Sequence, residues 1–254
     1  MSDEFRAVLF DLGGTLWDAF GGASRDQVTR DAATGAATAI LGSRAPQEQL
    51  EKLRLGILWR LNALRPAREA AAKASFSDPV FREDDISTIL AEAAAPFGGT
   101  VTEDVAMAFG HDLTRHDKPF PETLPVLRRM RAARPDLVIG IVSNTVVQPA
   151  VIDHYLGCQG LLEIVDFRVL SSELGWRKPH PAIYSSALAK AGVGPKEALF
   201  VGDRVLEDVM GPARAGIRAV LRSQGGESSE LPLACRPMAV ISDLEGILPL
   251  LSIT

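Results

Sequence analysis

Mostly continuous apolar runs at residues 7–10, 137–142, 167–170, 198–201, 217–221 and 238–241 restrict the folds open to this chain. A strand with one wet face alternates apolar and polar residues, whereas uninterrupted Val, Ile and Leu suit strands covered on both faces. Helical patterns fall between the later runs, at 122–133, 149–156, 181–191, 207–215 and 244–251. That alternation predicts an α/β fold, a three-layer sandwich around a central parallel sheet. With 254 residues, 46% of them hydrophobic, the chain can bury such a core and still carry an insertion.

The insertion is read at residues 17–118, where no convincing strand occurs. Ser24 with Gln27, and Thr100 with Glu103, fit capping boxes, and Asp84-Asp85 can cap the segment carrying Ile86, Ile89, Leu90 and Ala93. Leu50, Leu53, Ile57, Leu58, Leu61 and Leu64 form a stripe at helical spacing, read as packing within a bundle. The expected division is therefore a core domain of residues 1–16 and 119–254 and a helical cap of residues 17–118, placed where it can close over the strand ends. The polar, Gly/Ser-rich stretch 223–232 reads as a surface loop.

Charge and composition narrow the partners. A net charge of −5, a pI near 5.5 and no Lys/Arg run longer than two argue against a nucleic-acid surface. Cys158 and Cys235 have no CxxC spacing, the first residues lack a basic-then-apolar leader, and the apolar stretches are strand-sized. The expectation is a cytoplasmic protein without membrane contact, monomer or homodimer, acting on a small metabolite.

Chemistry gathers where the strands end. Asp11 precedes Gly13-Gly14 at the end of the first run, Ser143-Asn144 follows the second, Lys178-Pro179 lies beyond the third, and Gly202-Asp203, with Asp208 five residues on, follows the fourth. Singly these are a turn former, a turn pair, a surface lysine and a helix cap. Together and in this order they describe phosphoryl transfer onto a carboxylate. Asp11 can attack a phosphate ester and form an acyl phosphate. A phosphate dianion beside three aspartates meets like-charge repulsion, so Lys178 and a divalent cation are required. Oxygen ligands suit Mg²⁺, with Asp11 and Asp203 as direct ligands and Asp208 holding a metal-bound water or Lys178. The Ser143 hydroxyl can donate to a phosphate oxygen, and amides around Leu12, Gly13 and Asn144 can form an anion nest.

On these motifs the whole chain resembles the haloacid dehalogenase superfamily of hydrolases, with a C1-type helical cap after the first strand. The first motif matches at Asp11, Gly14, Thr15 and Leu16, the second at Ser143-Asn144, the third at Lys178-Pro179 and the fourth at Gly202-Asp203 with Asp208. The resemblance implies an aspartyl-phosphate intermediate, Mg²⁺ held by Asp11, the Gly13 carbonyl, Asp203 and Asp208, and a small phosphorylated metabolite as substrate. Phosphatases of the superfamily carry Asp where this chain has Gly13, and that Asp acts as general acid and base. Its loss removes a contribution of about 10² to 10⁴ in rate, felt most with basic leaving groups such as alkoxides. Three other readings stand beside the phosphatase. One is phosphonoacetaldehyde hydrolase chemistry through a cap lysine, Lys52 or Lys73; the others are 2-haloacid dehalogenation and ligand binding without catalysis. His111, His116, His154 and His180 lack a ligand spacing. Trp17, Phe20, Trp176 and Arg177 are candidates for bordering the pocket.

Overall fold

A computed structural model describes residues 5–63, 65–71, 75–223 and 236–253. Its strands are β1 (Ala7–Phe10), β2 (Trp17–Asp18), β3 (Lys118–Pro119), β4 (Val138–Ser143), β5 (Phe167–Leu170), β6 (Ala198–Gly202), β7 (Arg218–Arg222) and β8 (Ala239–Ile241). Six of them form one parallel sheet in the order β5-β4-β1-β6-β7-β8. The chain fills one side of β1 and then crosses to the other, so β1, β4 and β6 end side by side at a topological switch point. Open α/β sheets place ligands there.

Burial explains the continuous apolar runs. Val8 and Phe10 belong to one core cluster, with Ile139, Ile141 and Leu199, whereas Ala7 and Leu9 belong to a second, with Ile183, Tyr184 and Phe200. Alternate residues of β1 thus enter opposite layers, and both faces are dry.

The helices are α1 (Arg25–Leu41), α2 (Gln47–Asn62), α3 (Arg65–Ala71), α4 (Ile86–Ala94), α5 (Glu103–Thr114), α6 (Thr123–Ala133), α7 (Pro149–Cys158), α8 (Ser171–Leu174), α9 (Pro181–Ala191) and α10 (Gly211–Arg214). The first five fill the insertion. Leu53 and Ile57 of the α2 stripe are fully buried, and Leu50, Leu58 and Leu61 are partly buried against the same cluster as β1; Leu64 lies outside the described residues.

The all-helix expectation for 17–118 needs correction at its edges. The outgoing and returning chain pair as a short antiparallel ribbon, β2 with β3. Ser24 sits at the N-cap of α1 but makes no side-chain cap bond, and α5 is capped by Thr102, which accepts from Val105 N at 3.4 Å, and not by Thr100. Asp85 does cap α4, accepting from Thr88 N at 2.7 Å. Residues 207–215 are not one α-helix: Val205–Met210 is a π-helix that passes into α10. Pro212 has no N–H to donate back into that turn, which fits the change of hydrogen-bond register. Residues 244–251 form two 3₁₀ turns, Leu244–Ile247 and Pro249–Leu251, split at a proline for the same reason. Of the loop read at 223–232, only Ser223 is described.

One inserted segment docks directly on the strand-end loops. Glu83 N donates to Gly175 O at 3.1 Å and Arg177 N to Phe81 O at 3.0 Å, while Arg82 and Trp176 form an antiparallel bridge. Beneath it Phe76 and Phe81 pack against Leu206 and Met210 of the π-helix. Among the described residues, no helix is long and apolar enough to cross a membrane.

Candidate active site

Asp11 follows β1 and Asp203 follows β6, so the register of two neighbouring strands brings the first and fourth motifs together. Gly14 permits the approach. Its φ of 81° lies in the left-handed region, and a Cβ there would run into the Asp203 carboxylate. One carboxylate oxygen from each of Asp11, Asp203 and Asp208 can lie within 4.8 Å of the others, a spacing suited to a shared cation.

Lys178 joins the cluster from the opposite loop. Its Nζ donates to Asp11 Oδ1 at 2.6 Å and to Asp208 Oδ1 at 2.7 Å, and its side chain is only 2% exposed. Burial alone would lower its pKa, but the two aspartates outweigh burial and hold the ammonium charged. Asp208 also accepts from Arg204 N at 2.9 Å. Burial pushes its pKa up to about 7, against the pull of Lys178 and aided by Asp11. Asp203 rises to about 6 through burial and then the Asp11 charge. Both shifts include repulsion from the Asp11 charge.

The second motif splits its roles. Ser143 ends β4 as a buried residue beside the cavity. The Asn144 side chain grips the backbone of Lys178: its Oδ1 accepts from Lys178 N at 2.7 Å and its Nδ2 donates to Lys178 O at 3.0 Å. As a side chain Asn144 therefore positions the lysine loop.

A cavity of about 380 Å³ opens beside these loops, lined by Leu12, Gly13, Trp17, Phe20, Ser143 and Asn144, among others. Arg177 borders it and Trp176 does not; Trp176 stacks on His180 at 3.9 Å between ring centroids. His180 accepts from Ala182 N, His111 and His154 meet edge-on, and His116 Nε2 accepts from Arg115 Nε, so the histidines have local structural partners. Lys52 pairs with Glu48 at 2.6 Å on an exposed face of α2 and does not line this cavity. Lys73 lies outside the described residues.

Glu83 and Asp117 are among the cavity residues that the sequence reading did not single out. Glu83, almost fully buried, accepts from Ser171 Oγ at 3.0 Å and pairs with Arg177 at 3.1 Å and Arg68 at 3.4 Å. Burial raises its pKa against the pull of both arginines. It stands first in the run Glu83-Asp84-Asp85, which reads as a helix cap and gives no sign of a buried contact. Asp117 lies just before β3 and accepts from Phe20 N at 2.8 Å, holding a turn in which Phe20 has a φ of 73°.

Burial, with a further push from Asp18, raises Asp117 to about 6. The folded state therefore holds this proton more tightly than the unfolded chain, and stability associated with it is lost as pH rises from about 4 to 6. Asp117→Asn keeps an oxygen for Phe20 N and removes the charge. It is expected to raise Tm at pH 7 and leave it nearly unchanged at pH 4; equal shifts at both pH values would contradict this assignment.

The comparisons with known proteins agree with the geometry. The chain is 32% identical over 110 residues to a glyceraldehyde 3-phosphate phosphatase of Methanopyrus kandleri, covering 42% of this chain and 45% of that one. It is 33% identical over 156 residues to a phosphoserine phosphatase of Thermus thermophilus, covering 61% and 59%. The matches thus span about half the length of these relatives. A solved 2-haloacid dehalogenase of Pseudomonas syringae pv. Tomato superposes with a TM-score of 0.61 at 25% identity, covering 98% of each chain. The family model for haloacid dehalogenase-like hydrolases matches residues 5–216. The chain therefore belongs to the haloacid dehalogenase-like hydrolases.

Proposed function

We propose that the protein is a Mg²⁺-dependent phosphomonoester hydrolase in which Asp11 is the nucleophile and the inserted helices of residues 17–118 act as a cap over a core of residues 1–16 and 119–254. The observation that carries this reading is the cluster of buried Asp11, Asp208 and Lys178 with partly buried Asp203, whose three carboxylates exceed its single ammonium. The phosphatases among its relatives support the same direction.

The site fits a hard cation. Asp203 Oδ1 is buried with no hydrogen-bond partner, which is costly unless something absent from the protein atoms meets it. Asp11, through the oxygen Lys178 leaves free, Asp203 and the Gly13 carbonyl would hold Mg²⁺, with Asp208 acting through water because its Oδ1 is committed to Lys178 and its Oδ2 to Arg204 N. A bound Mg²⁺ supplies positive charge against the repulsion between phosphate and carboxylates. Lys178 fixes Asp11 through Oδ1 and adds a second positive charge. Ser143 Oγ and the amides of Leu12, Gly13 and Asn144 hold the phosphate oxygens. An Asp11 oxygen then bonds to phosphorus as the ester P–O bond breaks, its electron pair leaving on the departing oxygen. Water later attacks the acyl phosphate, releasing inorganic phosphate and restoring the carboxylate. The acidic cluster sets this reading above 2-haloacid dehalogenation, which needs no divalent cation. Lys52, paired on the surface, gives no support to a Schiff base.

The test is hydrolysis of p-nitrophenyl phosphate by the full chain with and without Mg²⁺, together with hydroxylamine trapping of an acyl phosphate. Halide release in EDTA with no phosphate release would overturn the proposal. Asp203→Asn removes one anionic ligand and is expected to weaken Mg²⁺ binding by about tenfold or more in calorimetry with the metal alone. An unchanged titration would count against Asp203 as a ligand.

A further inference from the structure

We infer that Glu83 is a positioning residue for the reaction: a side chain of the insertion that holds the loop carrying Ser143-Asn144 and the loop carrying Lys178 in a fixed relation. The effect on turnover rests on the phosphomonoester reading; the effect on the loops does not.

The segment 81–86 is joined to both loops through its backbone. Arg177 N donates to Phe81 O at 3.0 Å and Glu83 N to Gly175 O at 3.1 Å, just ahead of Lys178. Ile86 N donates to Val146 O at 3.0 Å, two residues beyond Asn144. Glu83 lies between these contacts in the chain, and its side chain is only 3% exposed.

Its two carboxylate oxygens serve different loops. Oε1 accepts from Arg177 Nη1 at 3.1 Å, and Arg177 is bonded in the chain to Lys178. Oε2 accepts from Ser171 Oγ at 3.0 Å, and that Oγ accepts in turn from Thr145 N at 2.8 Å. Thr145 follows Asn144, which holds the Lys178 backbone at 2.7 and 3.0 Å. Glu83 therefore reaches Lys178 by two routes, one through Arg177 and one through Ser171, Thr145 and Asn144. Ser171 is fully buried, so a partner lost there leaves a polar group unpaired away from solvent.

The same carboxylate keeps two like charges together. Arg68 Nη2 lies 3.4 Å from Oε1, and Arg68 also braces the segment by donating to Val80 O at 3.0 Å and to Arg82 O at 2.6 Å. Burial and then the Arg177 charge lower the Arg68 pKa, and the Glu83 charge opposes both. Without that charge the two guanidiniums repel, and one of them is the neighbour of Lys178. A misplacement of a reacting group by about 1 Å costs on the order of 10² in rate.

The experiment compares the full chain with its Glu83→Gln and Ser171→Ala variants, using p-nitrophenyl phosphate kinetics with Mg²⁺ and amide hydrogen exchange without substrate. Glu83→Gln is expected to lower kcat by about tenfold or more with KM within about threefold, because alignment of Lys178 is realised in the transition state. Exchange at the Thr145, Arg177 and Lys178 amides should quicken by about tenfold or more while exchange in β1 and β6 stays as in the parent. Ser171→Ala breaks one route and should quicken exchange at Thr145 with a smaller loss of kcat. A residue that only stabilises the fold would lower Tm and leave both the kcat of the folded protein and the Lys178 amide unchanged; that result overturns the inference. A rise in KM with kcat unchanged would make Glu83 a substrate contact and overturns it as well. If Glu83→Gln does not fold, Ser171→Ala carries the test, and exchange at Thr145 within about twofold of the parent overturns the inference. If the parent hydrolyses no ester, the phosphomonoester reading fails instead, and the exchange rates still decide whether Glu83 holds the two loops.

Discussion

Asp11→Asn is expected to lower turnover of phosphate monoesters by about 10⁴-fold or more, in line with removal of a nucleophile that acts as one unit with its neighbours. An amide is a poor nucleophile for phosphorus, and the change also takes one anionic oxygen from the cation site. The fold should persist. Removing one partner of a buried ion pair is destabilising when it strands the other charge. Here Lys178 keeps its bond to Asp208 at 2.7 Å, and the loss of the Asp11 charge relieves repulsion that raises both Asp203 and Asp208. Tm without added Mg²⁺ should therefore stay within a few degrees of the parent. Single-turnover assays with p-nitrophenyl phosphate, run beside thermal unfolding, give the answer. More than a tenth of parental turnover in a normally folded variant would remove Asp11 from the nucleophile's role.

Much of this site was legible because its signals are local. A strand that ends in Asp-Leu-Gly-Gly must turn tightly, and parallel strands bring their carboxyl ends to one edge whatever the rest of the chain does. Asp11, Lys178, Asp203 and Asp208 therefore meet as their order along the chain implies, and Ser143 ends the neighbouring strand β4. The less visible contacts are long-range. Glu83 reaches Ser171 and Arg177 across some ninety residues, and Asp117 reaches Phe20 across 97, and neither pairing leaves a periodic trace. Asn144 was visible as a residue, but its grip on the Lys178 backbone depends on how two loops face each other. Helix ends failed for a different reason. Ser24 and Thr100 carry the right chemistry for a cap, yet α5 starts beyond Thr102 and α1 forms without a side-chain cap bond. The start of α1 is held by burial of Val28, Ala32 and Ala33, which outweighs one capping bond of about 1 kcal/mol, and α5 takes its cap from Thr102.

Gly13→Asp is expected to raise hydrolysis of alkyl phosphates by about 10²-fold or more while changing aryl phosphates by less than tenfold, because a general acid helps most where the leaving oxygen is most basic. Whether the backbone accepts a side chain decides if the test is fair, and the two adjacent glycines answer differently. Gly14 lies at a φ of 81° with the Asp203 carboxylate against its α-carbon, so a substitution there collides and is strained. Gly13 lies outside the left-handed region, and a Cβ would meet only Ala19 Cβ at 3.5 Å and Trp17 Nε1 at 3.8 Å, ordinary contact distances. Its carbonyl, proposed above as a cation ligand, would remain in place, and the new side chain would border the same cavity. Gly13→Asn is the matched control, since it fills the same space without a proton to give and should show no selective gain. The informative quantity is the ratio of kcat/KM for cyclohexyl and phenyl phosphates in the parent and the two variants, with Mg²⁺ binding measured alongside. Should the aspartate variant fold, bind Mg²⁺ like the parent and leave that ratio unchanged, then the absent acid does not limit this enzyme.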